Sequence, residues 1–279
     1  MKTISFTTAL LIMAAMAFAQ PQAIRVVKKG QGTAVLFLPG FTSPGSVWNE
    51  TIRHLNGEVQ SHVVSYAGFN GLLPVDTPWY PRLRQELLSY IEQQKLTDLT
   101  IIGHSMGGSL AVDIAAALPD RVTKLVLVDA IPCMRALMMP GVPASQISYE
   151  SPYNKQMLEM PDEQFAQMAR GMAANMTNHK AMADTLARWI LEAHRPTYVY
   201  GYTDLLKLDL REVLPGIKAK ALILGAPFPD EKVVLENFQK QYAGLSAKTI
   251  QIAPASKHFI MFDQPDWLYE KVAAFLKNE

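Results

Sequence analysis

The chain has a single cysteine, Cys133, so no disulfide can form within it, whatever the redox state of its surroundings. The sequence context of Cys133, at the end of an apolar strand, suits a small buried residue. Charge of either sign is not in excess, with 26 Lys and Arg against 25 Asp and Glu. A surface without a dominant positive field does not draw nucleic acid or anionic lipid, and neither is expected as a partner. Internal repeats and low-complexity tracts are absent. No H-x-x-H pair and no cluster of Asp and His at ligand spacing marks a metal site, and no motif calls for a cofactor. Long hydrophobic runs are missing too. The first one, Ala9 to Phe18, is too short to cross a bilayer as a helix, and none follows that could. No membrane span is expected.

What that first run does supply is a targeting pattern. Lys2 precedes it, and Ala17-Phe18-Ala19 closes it with small residues around a cleavage point. Residues 1–19 therefore read as a secretory signal peptide, with Gln20 as the mature N-terminus. The expectation is export to a bacterial periplasm or beyond. The rest of the chain suits one α/β domain with a well-buried core.

Along that remainder, short apolar runs alternate with helical periods, as in a mostly parallel sheet with helices on both faces. Ala23 to Val27 reads as an edge strand, and Ala34 to Leu38 as a strand buried on both sides. A helix is expected from about Ser46 to Leu55, then a strand at His62–Tyr66. An amphipathic helix from Pro81 to Gln94 carries Leu83, Leu87, Leu88 and Ile91 on one stripe. Strands follow at Leu99–Ile102 and Lys124–Val128. The strand rhythm then stops between residues 131 and 202, and this stretch holds nine of the 14 methionines. It resumes at Ala221–Gly225 and Lys248–Ile252, and a helix from Asp266 to Leu276 closes the chain. The expected organisation is a core from residues 20–130 and 203–279, with a helical cap inserted at 131–202.

One pentapeptide carries chemistry. Gly103-His104-Ser105-Met106-Gly107 joins the Leu99–Ile102 strand to a helical stretch running to Leu118. A strand that becomes a helix within three residues strains the residue at the apex. The two flanking glycines remove the Cβ clashes that would forbid the turn, and Ser105 is left exposed at its tip. The positive end of the following helix favours an oxyanion there. A serine is a weak nucleophile unless a base stands within hydrogen-bonding reach. His258 is the best placed of the six histidines, in a loop after the last strand on the same sheet edge. His104, next to the apex, reads as a packing residue. His54, His62, His179 and His194 read as solvated or structural.

Leu38-Pro39-Gly40-Phe41 after an early strand, the Gly103–Gly108 elbow and Lys257-His258-Phe259 after the last strand together resemble the α/β-hydrolase superfamily, serine-nucleophile branch. The resemblance covers nearly all of the mature chain. It implies an α/β fold with a mostly parallel central sheet, and the order nucleophile, acid, histidine. It places two oxyanion-holding amides at Met106 and Phe41. Two positions stay open for the acid. One is Asp129, just after the strand before the insertion. The other is Asp230, two residues beyond the usual place after Gly225, where position 228 is Phe. Asp129 is preferred because it needs no rerouted loop, although an aspartate there can also simply cap backbone groups.

The implied activity is hydrolysis of carboxylic esters or related acyl compounds, as in a carboxylesterase. A serine nucleophile argues against hydrolytic dehalogenases and epoxide hydrolases of this fold, which use aspartate. Alternatives are an aminopeptidase, an acyltransferase or a non-catalytic binding protein. The first would need cap acids such as Glu150, Glu159, Asp162, Glu163, Asp184 or Glu192 to hold a substrate ammonium. Methionine is flexible and polarisable, which suits surfaces that accept varied apolar ligands. Met134, Met138, Met139 and Met172 are the candidate walls of a pocket for a small apolar acyl substrate.

Overall fold

Alternation of period two decides which side of the sheet each strand residue faces. Along β2 (Thr33–Leu38), Leu36 and Leu38 enter one core cluster, while Val35 and Phe37 enter the other. The computed structural model describes residues 22–55 and 59–277, so the expected signal peptide lies outside the described residues. In chain order β1 (Ile24–Lys29) precedes β2. Then come α1 (Asn49–His54), β3 (Val59–Tyr66), α2 (Trp79–Gln93), β4 (Leu99–His104), α3 (Met106–Ala117) and β5 (Val122–Val128). Five helices follow: α4 (Arg135–Met138), α5 (Pro152–Glu159), α6 (Asp162–Met176), α7 (Lys180–Leu191) and α8 (Arg195–Lys207). The chain closes with β6 (Lys220–Gly225), α9 (Glu231–Gln241), β7 (Lys248–Ile252), α10 (Ile260–Asp263) and α11 (Pro265–Lys277).

The strands form one 7-stranded sheet in the order β1-β3-β2-β4-β5-β6-β7. Only the β1–β3 pairing is antiparallel. Burial on both faces is what makes β2, β4, β5 and β6 near-continuous apolar runs. Leu125 and Leu127 of β5 pack with α2 and α3 on one face, and Val126 and Val128 pack with α11 on the other. Cys133 is free and buried beyond the end of β5.

Several boundaries differ from the sequence reading. The expected helix from Ser46 splits into a 3₁₀ turn, Gly45–Trp48, followed by α1. α3 starts at Met106, where the sequence leads one to expect helix only from Ser109, because tertiary contact overrides the poor helix propensity of Gly107 and Gly108. α9 has no counterpart in the sequence reading. Only Phe238 and Gln241 of its residues are buried, too thin a stripe to register. α8 runs on to Lys207, so residue 202 falls inside a helix and is not a boundary.

His62 on β3 is fully buried, and burial, aided by the charge of Lys28, holds its pKa down at about 4. Its Nε2–H donates to Gln60 Oε1 at 3.1 Å, and its Nδ1 accepts from Tyr90 Oη at 2.7 Å. Protonation would displace the Tyr90 donor. The unfolded chain takes up this proton near pH 6.5, and the folded chain only near 4. Stability is therefore expected to fall as pH is lowered through that window. The urea midpoint measured at pH 7 and pH 4.5 should drop less in His62→Gln than in the parent. Equal drops would show that His62 does not contribute.

Candidate active site

Ser105 stands at the apex between β4 and α3 with φ 53° and ψ −121°, a conformation that non-glycine residues rarely adopt. Its N–H donates to Val128 O at 2.9 Å, which ties the apex to the end of β5. A Cβ on Gly103 would collide with the Gly107 carbonyl, and one on Gly107 with the Leu38 carbonyl. The elbow closes only because both positions are glycine.

Parallel strands present their carboxyl ends along one edge, and three side chains gather there. Ser105 follows β4, Asp129 follows β5 and His258 follows β7. Asp129 has φ 44°, and its N–H donates to Leu224 O at 2.7 Å. Its Oδ1 accepts from the Ala226 N–H at 2.9 Å, and its Oδ2 lies 2.6 Å from His258 Nδ1. A carboxylate accepts, so Nδ1 carries a proton, and in the neutral ring Nε2 is then the lone-pair nitrogen. Asp230, the alternative acid, goes elsewhere. Its Oδ1 caps α9 by accepting from the Val233 N–H at 3.0 Å, and it lines neither cavity around Ser105. The structure thus departs from the Asp230 alternative because that carboxylate is held by a helix N-terminus.

His104 does more than fill space. It is fully buried, its Nε2–H donates to the His258 carbonyl at 2.9 Å, and the two rings lie 4.6 Å apart. Burial, followed by the neighbouring His258, holds its pKa well below the usual value, so it stays neutral. The sequence hides this contact, since an elbow neighbour is expected to point away. The His258 loop has further anchors. The Asp263 carboxylate accepts from the Lys257 N–H at 2.8 Å and from the Asn178 N–H at 2.9 Å.

The loop after β2 passes against the elbow, and a Cβ at Gly40 would lie 3.4 Å from Ser105 Cβ. Met106 is the first residue of α3, where a backbone N–H has no partner within the helix. The loop is pinned from behind. Tyr66 Oη donates to Pro39 O at 3.2 Å, and Asn70 Nδ2 donates to Thr42 O at 2.9 Å. The Phe41 side chain packs against both the core and the cap. Its ring centroid lies 5.0 Å from Phe69 and 5.7 Å from Trp79 in the core, and 5.5 Å from Tyr198 on α8. Phe41→Ala leaves the backbone N–H but frees the loop that carries it. We expect a loss in kcat of about tenfold to a hundredfold, part of what removing an oxyanion donor costs. Phe41→Leu should recover most of it. A change in KM alone would assign the ring to substrate binding instead.

Two cavities meet at Ser105 and His258. One, about 260 Å³, runs past Ile131, Leu137 and Phe228. The other, about 200 Å³, runs beneath α6, α7 and α8 and is lined by Met172, Met176, Ile190, Tyr198 and Tyr202. Met134 lines both, so two of the four candidate methionines, Met134 and Met172, stand at the site. Met138 and Met139 do not. α4 turns them outward to a separate cavity against α8. Tyr198 and Tyr202 were missed, yet their spacing of four on one helix face was the available signal. Among the described residues, no group of three or more His, Cys, Asp or Glu is arranged to hold a metal ion. No helix among them is long and apolar enough to cross a membrane.

Comparison with known proteins agrees with this architecture. The family model for the "Alpha/beta hydrolase family" matches residues 35–271. The pimeloyl-(acyl-carrier protein) methyl ester esterase of Vibrio vulnificus (strain YJ016) is 23% identical over 251 residues, 88% of this chain and 95% of that one. An esterase from Exiguobacterium antarcticum superposes with a TM-score of 0.77 at 20% identity, covering 92% of this chain and 98% of its own. The enol-lactonase from Burkholderia xenovorans LB400 does so with a TM-score of 0.74 at 15% identity, covering 91% and 96%. At these identities the structural likeness shows the fold alone.

Proposed function

The chain belongs to the alpha/beta hydrolase family, and from that premise we propose that it is a serine hydrolase cleaving carboxylic esters through an acyl-enzyme. Ser105 Oγ attacks the ester carbonyl and gives its proton to His258 Nε2. Asp129 keeps the resulting imidazolium oriented, and the Phe41 and Met106 amides hold the oxyanion. His258 passes that proton to the departing alkoxide as the C–O bond breaks, and an alcohol leaves. Water then attacks the acyl-enzyme and gives a proton to His258, and that proton returns to Ser105 as the acid departs.

The observation that carries this reading is the 2.6 Å pairing of His258 Nδ1 with Asp129 Oδ2, on a histidine that shares its cavities with Ser105. In the neutral ring it leaves the Nε2 lone pair free, as a base needs. The methionine, leucine and tyrosine walls favour an apolar acyl or alkyl group over a charged one. Two of the similar proteins carry the name esterase, and a third is a lactonase, which also breaks an ester bond. The aminopeptidase alternative loses its support. Glu150, Glu159, Asp162, Glu163, Asp184 and Glu192 are all exposed, and none lines either cavity.

A fluorophosphonate probe should label the protein at Ser105 and leave Ser105→Ala unlabelled. 4-Nitrophenyl esters should be cleaved faster than amino-acid anilides, and the reverse order would favour the peptidase. We further propose that residues 1–19 direct export and that the helices after β5 act as a lid. Mature protein beginning at Gln20 supports export, and an intact Met1 refutes it.

A further inference from the structure

Tyr202 stands between the cavity at Ser105 and a larger one in the cap. The inner cavity is about 200 Å³ and the outer about 440 Å³. Tyr202 lines both. Its hydroxyl donates to Met138 Sδ at 3.2 Å, on the wall of the outer cavity. A thioether is a weak acceptor, so a phenol held this way is easily turned aside. The geometry around α4 lets that happen locally. Arg135 fixes the start of the helix, donating from Nη1 to Leu206 O at 2.7 Å and from Nε to Val142 O at 3.0 Å. Met138, at the other end, is 56% exposed.

The outer cavity has polar residues in its wall, but they are turned toward each other. Asn154 Nδ2 donates to Thr203 Oγ1 at 2.8 Å, and Thr203 Oγ1 donates to Val199 O at 3.0 Å. Ser151 Oγ accepts the Asn154 N–H at 3.1 Å, and Ser148 Oγ accepts the Glu150 N–H at 3.1 Å. The rest of the wall is Met138, Met139, Ile147, Leu206 and the Tyr153 ring, with Gln146 as the further polar side chain. Such a wall offers contact mainly to methylene groups, with few polar groups free to meet a polar head.

We propose that this outer cavity binds the distal end of a long, unbranched acyl or alkyl chain, which reaches it from Ser105 by displacing the Tyr202 ring from Met138. The proposal rests on the ester hydrolase reading and names its substrate class. Each methylene moved from water onto an apolar wall strengthens binding about fourfold.

The test compares kcat/KM for 4-nitrophenyl dodecanoate and butyrate in the parent, Ile147→Trp and Met139→Trp. Each tryptophan fills the outer cavity from a different wall, so a fold defect in one does not spoil the other. We expect the dodecanoate-to-butyrate ratio to fall at least about tenfold in both, the effect of excluding roughly two methylenes. A ratio within about twofold of the parent in both variants overturns the proposal. So does a parent that cleaves butyrate but not dodecanoate. Should no ester be cleaved at all, dodecanol binding by calorimetry decides. Binding that both tryptophans weaken keeps the cavity and removes the hydrolase reading, and unaffected or absent binding removes the cavity.

Discussion

Ser105→Ala and His258→Ala are each expected to lower kcat for a short 4-nitrophenyl ester by about a million-fold. The double variant should lose no more than either alone. In the proposed mechanism the hydroxyl and the imidazole act as one unit. A serine without its base keeps its proton, and a base without the serine has nothing to activate. What remains over the uncatalysed rate comes from the amides of Phe41 and Met106 and from binding. The His258 variant tests chemistry rather than folding, because alanine keeps the main-chain carbonyl that accepts from His104 Nε2. Losses that multiply in the double variant, or a His258→Ala loss below about tenfold, would break the unit apart.

How much of this was legible depended on which forces leave a local trace. The central strands were legible because both faces of the sheet are covered. Val35 and Phe37 face one cluster and Leu36 and Leu38 the other, so β2 reads as an unbroken apolar run. Ser105 was legible because its strain requires glycine at 103 and 107, and glycines are visible in sequence. α9 was not, since a helix that buries only Phe238 and Gln241 leaves almost no stripe.

The site shows the same division. Both acid candidates follow strands, and only the folded loops, with Asp129 against His258 and Asp230 capping α9, tell which one faces the imidazole. The contact of His104 with the His258 carbonyl spans 154 positions of sequence, and no local pattern encodes it. The cap methionines were found as a group, yet their sorting into an inner and an outer set follows from the turn after α4. That turn is set by Arg135 reaching carbonyls at the end of α8, at Leu206 and Leu208. Tertiary hydrogen bonds of this kind decide where side chains of identical type end up.

Asp129→Asn is expected to lower kcat by about ten thousandfold at neutral pH, while Asp230→Asn should leave it within about twofold. The asymmetry follows from what each carboxylate faces. Asp129 accepts on both oxygens, from the fixed Ala226 N–H and from His258 Nδ1. An asparagine has one acceptor and one donor. The backbone N–H cannot change its role, so the asparagine oxygen stays on Ala226 and its NH₂ turns to the imidazole. His258 must then accept at Nδ1 and carry its proton on Nε2, the tautomer that cannot take a proton from Ser105. The ring stays in place while its chemistry is reversed. At position 230 the only task is to accept the Val233 N–H at the start of α9. Asparagine caps a helix about as well as aspartate, so neither activity nor the urea midpoint should move appreciably. If the two variants exchanged their losses, the carboxylate that orients His258 would be Asp230. The loop carrying it would then have to leave the helix it caps.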